Sequence, residues 1–201
     1  MTDFRIPPLL DRRLLKRPDW GEYFLAIAKV VSTRSTCSSR PVGCVITKGN
    51  RILATGYNGA PSGETHCTDL GRDGQIYCSR RANNLPDREK LCGGCRSLHA
   101  EENAIDFAAR FGLTDQLPGA ALYSTLSPCI KCIGRLKASG IAEVYYELAY
   151  QSVDLERDRQ WEAAAREAFK VYEQISIDEP NGRKIAGALL TVTSERLLPS
   201  G

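Results

Sequence analysis

The sequence predicts an α/β fold, an α/β sandwich built on a mixed sheet of about five strands. Short apolar runs of strand character recur at 42–47, 51–57, 120–125, 141–146 and 171–177. Longer stretches with apolar residues at helical spacing lie between most of them. Gly, Pro, Asn and Asp punctuate the junctions. The order is helix, strand, strand, helix, strand, helix, strand, helix, strand. The first two strands read as an antiparallel hairpin, and the later strand–helix–strand units favour parallel neighbours.

Residues 1–18 read as an N-terminal extension, in which Arg12, Arg13, Lys16 and Arg17 form either a solvated basic segment or a contact for an anionic partner or neighbouring subunit. Pro18-Asp19 is a helix start, and Tyr23, Phe24, Leu25, Ala28 and Val31 give an amphipathic helix over about residues 19–34. A polar loop follows over 34–39. Lys48-Gly49-Asn50 turns strand 42–47 into strand 51–57. Residues 58–98 lack periodicity and carry four of the eight cysteines. A loop of that length inside a compact domain is uncommon unless it is functional or held by something. Regular structure resumes with a helix over 100–111, and a second helix runs from Pro128, near its first turn, to Gly140. A long charged helix over 154–170 and a last strand follow. A single domain is thus expected over 19–177, with 58–98 as a Cys-rich insertion and 178–201 as a C-terminal tail.

The chain has 201 residues, 42% of them apolar and 25% charged, with a net charge of only +3. Apolar content of this size supports a real core. So small a charge argues against tight, sequence-independent nucleic-acid binding, but leaves room for a small anionic substrate. The first twenty residues show no signal-peptide pattern, and no run has the roughly 20 apolar residues of a membrane span. The expectation is a cytoplasmic protein (host cytoplasm for a viral chain) with no membrane partner. In a reducing compartment, eight cysteines point to metal binding or catalysis rather than disulfides.

Three zinc-ligand side chains lie on two short segments, His99-Ala100-Glu101 and Pro128-Cys129-Ile130-Lys131-Cys132. One imidazole and two thiolates leave the fourth tetrahedral position open, as in a catalytic zinc site. Both segments open helices, whose N-terminal field favours thiolates at Cys129 and Cys132. Three residues apart, those two share one helix face. His99 and Glu101 are two apart, so they converge only if the chain is still irregular at His99. Zinc lowers the pKa of a water toward about 7. Glu101, not itself a ligand, is expected to pass that proton to the ring nitrogen of a base and to assist release of ammonia. A Cys-x-x-Cys alone would also fit a redox pair. Its conjunction with His-x-Glu resembles the signature of zinc deaminases acting on cytosine or adenine.

Further segments sharpen the resemblance. Arg34-Ser-Thr-Cys37, Val42-Gly-Cys-Val45, Gly56-Tyr-Asn-Gly-Ala-Pro-Ser-Gly63, His66-Cys67, His99-Ala-Glu-Glu-Asn-Ala104 and Thr125-Leu-Ser-Pro-Cys129 together resemble the deoxycytidylate (dCMP) deaminase family over roughly residues 19 to 150. The resemblance implies a three-layer α/β/α cytidine deaminase-like sandwich and hydrolysis of dCMP to dUMP for thymidylate synthesis. Residue by residue, it implies that Asn58 contacts the substrate sugar or base. Ala100 and Ser127 would read the base edge, and Tyr150 would close over the nucleotide. Tyr57 and Gly59 would shape the pocket or an effector site. Arg34 and Ser35 are candidates for the 5′-phosphate, since a guanidinium suits phosphate geometry. The family pattern further implies a homo-oligomer, often a hexamer, with dCTP and dTTP as effectors and Mg²⁺ accompanying an effector nucleotide.

Relatives in this family often carry a second, structural zinc near the insertion. Here Cys67, Cys92 and Cys95, with Cys78 fourth and His66 as substitute, are the candidate ligands. The family pattern sets a cysteine five residues before the catalytic histidine, whereas Cys95 is four before it and Cys92 seven, so the ligand set stays open. Cys37 and Cys44 read as ordinary buried small residues. The rival activities are deamination of dCTP, of 5-modified dCMP or of a polynucleotide (tRNA or single-stranded DNA). A non-catalytic zinc module would need neither an open coordination position nor Glu101.

Overall fold

The structure, a computed structural model, describes residues 17–71, 77–82, 95–150 and 154–190. Arg12, Arg13, Lys16 and Cys92 lie outside the described residues.

Helix α1 (Trp20–Ser32) opens on a reciprocal cap. The Asp19 carboxylate accepts the Glu22 N–H at 2.8 Å, and the Glu22 carboxylate accepts the Asp19 N–H at 3.0 Å. Strand β1 (Gly43–Lys48) turns directly into β2 (Arg51–Tyr57). Gly49 and Asn50 both hold positive φ, 54° and 60°, as a two-residue hairpin turn with the correct twist requires. Then come α2 (Ala100–Arg110), β3 (Ala121–Leu126), α3 (Ile130–Ala138), β4 (Glu143–Leu148), α4 (Leu155–Ala168), β5 (Val171–Gln174) and α5 (Glu179–Leu190). The insertion holds only a single 3₁₀ turn at Cys67–Asp69 and one helical turn at Ser79–Ala82 among its described residues.

The five strands lie in the order β2-β1-β3-β4-β5. β1 runs antiparallel to both neighbours, while β3, β4 and β5 are parallel. The sheet is therefore mixed, as the sequence suggested. Alternation along the strands divides the core into two faces. Cys44, Ile46, Leu122, Val144 and Tyr146 point to one face and meet Ala100, Ala104, Ala108, Ile133 and Leu136 of α2 and α3. Val45 and Tyr123 point to the other and meet Phe24 and Ala28 of α1. Three layers result. Complete burial of Leu122 or Ile46 contributes about 1.5–3 kcal/mol each, enough to make the sheet a rigid floor under α2 and α3.

Part of the stretch expected to be a tail forms α5, which is anchored to α1 through Asn181 of its first turn. The Glu22 carboxylate accepts from the Asn181 side chain at 2.7 Å and from the Asp178 N–H at 3.0 Å. Asn181 is fully enclosed. Burial alone would raise the Glu22 carboxyl, but hydrogen bonds from Asn181, Asp178 and Asp19 outweigh it and hold its pKa below the usual value. Among the described residues, no helix is long and apolar enough to cross a membrane.

Candidate metal centre and active site

His99 and Cys129 occupy equivalent places on neighbouring helices. Each is the N-cap, with extended backbone (φ −76°, ψ 158° and φ −74°, ψ 168°), of α2 and α3 respectively. The last residues before regular helix can aim side chains that an interior position could not. Consequently His99 and Glu101 converge although only two residues apart. α3 begins at Ile130 rather than at Pro128, because Cys129 is still extended. Close approach of α2 to the sheet depends on Gly56, where a Cβ would stand 2.1 Å from the Ala100 carbonyl oxygen.

The His99 Nδ1 atom lies 3.5 Å from the sulfurs of both Cys129 and Cys132. Tetrahedral zinc, with Zn–N about 2.0–2.1 Å and Zn–S about 2.3 Å, requires an N···S separation of about 3.5 Å. The imidazole therefore stands from both sulfurs at the spacing this ion demands, and all three donors lie within 4.8 Å of one another. Among the described residues they are the one group of three or more His, Cys, Asp or Glu donors that comes together in this way. The Glu101 carboxylate, almost fully buried, lies 3.6 Å from the Cys132 sulfur.

The electrostatics also favour a cation. Hydrogen bonding to Cys129 pushes the His99 ring up to about 9 against its burial, and the Glu101 carboxylate adds to the rise. Cys129 falls to about 4, chiefly through its hydrogen bond with Cys132, with His99 contributing. The same pairing, together with burial, pushes Cys132 upward. One thiolate thus forms readily and the second resists, because Cys132 shares its hydrogen bond with Cys129, is buried, and faces the negative charges of Glu101 and Cys129. A dication between them removes that repulsion, so the donor set fits Zn²⁺. Burial raises Glu101 to about 6, with the His99 charge pulling the other way. Behind it, burial and then the Glu101 charge keep the Cys44 thiol protonated. Cys44 is enclosed as expected, and Cys37 is half-buried.

The nucleotide-reading candidates lie around a loop stitched to this centre. Gly59 pairs with Leu98 through two backbone hydrogen bonds of 2.9 and 3.2 Å, which fixes the chain immediately before His99. Asn58 Oδ1 accepts from the Val42 N–H at 2.8 Å and the Ser35 hydroxyl at 2.6 Å, while Nδ2 donates to the Arg40 carbonyl at 2.9 Å. One amide hydrogen remains for a ligand. Ser35 is thus spent on holding Asn58, and Arg34 is exposed just beyond α1. The Tyr57 carbonyl accepts from Asn103 at 2.7 Å. Ala100 is fully enclosed. The Ser127 hydroxyl accepts the Tyr150 N–H at 2.8 Å, and the Tyr150 ring stands between Arg40 (5.6 Å) and Trp161 (6.3 Å). Ser127, Tyr150 and Trp161 line a cavity of about 300 Å³. Arg40 and Thr125 line another of about 800 Å³.

The sequence reading passed over Asn103, Arg40 and Trp161. Asn103 carried a usable signal, since four residues after His99 it shares that helix face. Arg40 and Trp161 meet Tyr150 only through tertiary packing. In the insertion, Cys67 and Cys78 are buried, Cys95 is half-buried, and His66 Nδ1 lies 3.1 Å from the Thr36 hydroxyl.

A family model for the cytidine and deoxycytidylate deaminase zinc-binding region matches residues 18–148. The chain is 40% identical to a deoxycytidylate deaminase of Schizosaccharomyces pombe over 134 residues, 67% of this chain but only 38% of that one. It is also 40% identical to the deoxycytidylate deaminase of Mycobacterium phage D29 over 132 residues, 66% of this chain and 97% of that one. The dCMP deaminase of cyanophage S-TIM5, solved in complex with dCMP and dUMP, aligns with a TM-score of 0.52 and 27% identity over 80% of this chain and 99% of its own. With the matching segment carrying His99, Glu101, Cys129 and Cys132, the chain belongs to the cytidine and deoxycytidylate deaminase zinc-binding family.

Proposed function

We propose that the chain hydrolyses dCMP to dUMP and ammonia, supplying dUMP for thymidylate synthesis. The observation that carries this reading is the placement of His99 Nδ1 at 3.5 Å from the Cys129 and Cys132 sulfurs, with Glu101 beside them. Similarity to the phage D29 enzyme over nearly its whole length supports the monophosphate as substrate. So does the likeness to a cyanophage enzyme solved with dCMP and dUMP.

Zinc held by His99, Cys129 and Cys132 would supply the Lewis acidity that makes water nucleophilic near neutral pH. The protons are the business of Glu101. Its carboxylate takes one from the attacking water and delivers it to ring N3 of cytosine. It then takes the remaining proton of the new hydroxyl and delivers it to the departing amino group. The C4–N bond breaks, C4=O forms, and one water is consumed for each ammonia released. The remaining amide hydrogen of Asn58 is available to the sugar or base, and the Tyr150 ring can cover the nucleotide. Arg34, exposed beyond α1, is the proposed phosphate contact, with Ser35 supporting Asn58.

Residues 19–177 make up the proposed deaminase domain, with α5 docked on it through Asn181 and Glu22. Its insertion is proposed to hold a second zinc through Cys67, Cys92 and Cys95, with Cys78 fourth and His66 as substitute. The support for this reading is the family resemblance, since among the described residues these candidates do not form a donor cluster of their own. The family resemblance supports a cytoplasmic homo-oligomer, often a hexamer in this family, with dCTP and dTTP as effectors and Mg²⁺ accompanying an effector nucleotide.

The test is steady-state deamination of dCMP, deoxycytidine, dCTP and a deoxycytidine-containing oligonucleotide side by side. The expected result is the highest kcat/KM on dCMP. Turnover of the oligonucleotide or of dCTP alone would overturn the reading.

A further inference from the structure

Two links join α2 to α3, one helical turn apart. The first is the metal centre, where His99 faces Cys132. The second is ionic. Arg135, three residues beyond Cys132 and so on the same face of α3, reaches two carboxylates on α2. It donates to Glu102 Oε1 at 3.2 Å and to Asp106 at 2.9 Å. The other oxygen of Glu102 accepts the backbone N–H of His99 at 2.9 Å. A single carboxylate therefore holds the ligand-bearing cap of one helix and the cation of the other.

We infer that Glu102, clamped by Arg135, is the positioning residue that sets His99 against Cys129 and Cys132. The inference rests on the zinc reading of that centre. As a source of stability the pair is weak, because the Arg135 side chain is 45% exposed and exposed ion pairs contribute little. Its effect is on geometry. The N-cap residue is the least constrained position of a helix, since it makes only part of the helical hydrogen-bond set. His99 is such a residue, yet its ring must stay 3.5 Å from two sulfurs on another element. Glu102 fixes the backbone of His99, and Arg135 fixes Glu102 relative to the helix that carries Cys132. Asp106 shares Arg135 but lies one turn further from His99, so its loss leaves the Glu102 link in place.

Groups that orient metal ligands are commonly worth about 10–100-fold in metal affinity. Zinc dissociation constants measured by chelator competition on the full chain test the inference. Glu102→Ala should weaken zinc roughly 10-fold or more, and Arg135→Ala about 3–10-fold. Arg135→Lys, which keeps one donor for Glu102, should recover most of the Arg135→Ala loss. Asp106→Ala should stay within about twofold of the native chain. Cobalt(II)-substituted protein gives a second readout, since the visible ligand-field bands should shift in Glu102→Ala and not in Asp106→Ala. Should Glu102→Ala fold poorly, Glu102→Gln serves instead. It keeps an acceptor for the His99 N–H but loses the charge, and should fall between native and Arg135→Ala. Native affinity in Glu102→Ala, or an equal loss in Asp106→Ala, would overturn the inference. A native chain that takes up no zinc at the His99 centre would overturn the metal reading itself.

Discussion

Gly56 of β2 and Ala100 of α2 approach so closely that a Cβ at position 56 would stand 2.1 Å from the Ala100 carbonyl oxygen. Ala100 follows His99 directly, so this contact sets how deep the ligand-bearing end of α2 sits against the sheet. The Gly56→Ala variant must push that end away. The expected cost is about 1–3 kcal/mol, typical of an overpacked site, together with weaker zinc binding. Denaturant unfolding and zinc titration check both. A variant as stable and as tightly metallated as the native chain would contradict the packing account.

The donor set makes a direct prediction about the ion. Cys132→Ala should lose the zinc of the His99 centre, and with it roughly 100-fold or more of the turnover. Dialysis of the native chain against a strong chelator should do the same, with activity restored by added Zn²⁺. Metal analysis and assay together check this. Full activity in metal-depleted protein would contradict it.

Glu22 ties α1 to α5, and its lowered pKa has a definite sign. A carboxyl whose folded pKa lies below its unfolded value contributes stability at higher pH, which is lost as pH falls through the folded pKa. Docking of α5 should therefore hold at neutral pH and weaken below about pH 4. Hydrogen exchange at residues of α5 would record the change. Glu22→Gln should loosen α5 at neutral pH by about 1–3 kcal/mol, because a hydrogen-bonded carboxylate is replaced by an amide. Equal protection of α5 in both proteins from pH 7 to pH 4 would contradict the role.

Tyr150 is pinned by its N–H to Ser127 and flanked by Arg40 and Trp161. If its ring covers the nucleotide, Tyr150→Ala should raise KM for dCMP about 2–10-fold with little change in kcat, since such aromatic contacts are worth about 0.5–1.5 kcal/mol. A large fall in kcat at unchanged KM would instead place Tyr150 in the chemical step.

Much of this was legible in the sequence for identifiable reasons. The hairpin announced itself through Gly49-Asn50, because few residues tolerate positive φ. The centre announced itself because zinc admits few donor types and both segments lie at helix starts. What stayed hidden depends on distant contacts. α5 contains Pro180, Gly182 and Gly187 and shows little apolar periodicity, and its first turn is held by Glu22, 159 residues away from Asn181. Asn58 reads as a substrate contact, yet most of its amide is consumed by Ser35, Arg40 and Val42. Nothing in the local sequence reveals that use. The Arg135–Glu102 contact requires knowing that α2 and α3 are neighbours.

The division of labour among the four central residues can be tested in one experiment on Glu101→Gln. Glutamine keeps the size of the side chain and leaves His99, Cys129 and Cys132 untouched, but it cannot carry a proton between water and base. Zinc content and dCMP turnover should be measured on the same preparation. The expected result is zinc content equal to the native chain, with kcat lowered by about 10²–10⁴-fold. Native turnover in that variant would contradict the assignment of Glu101 as the group that moves the protons.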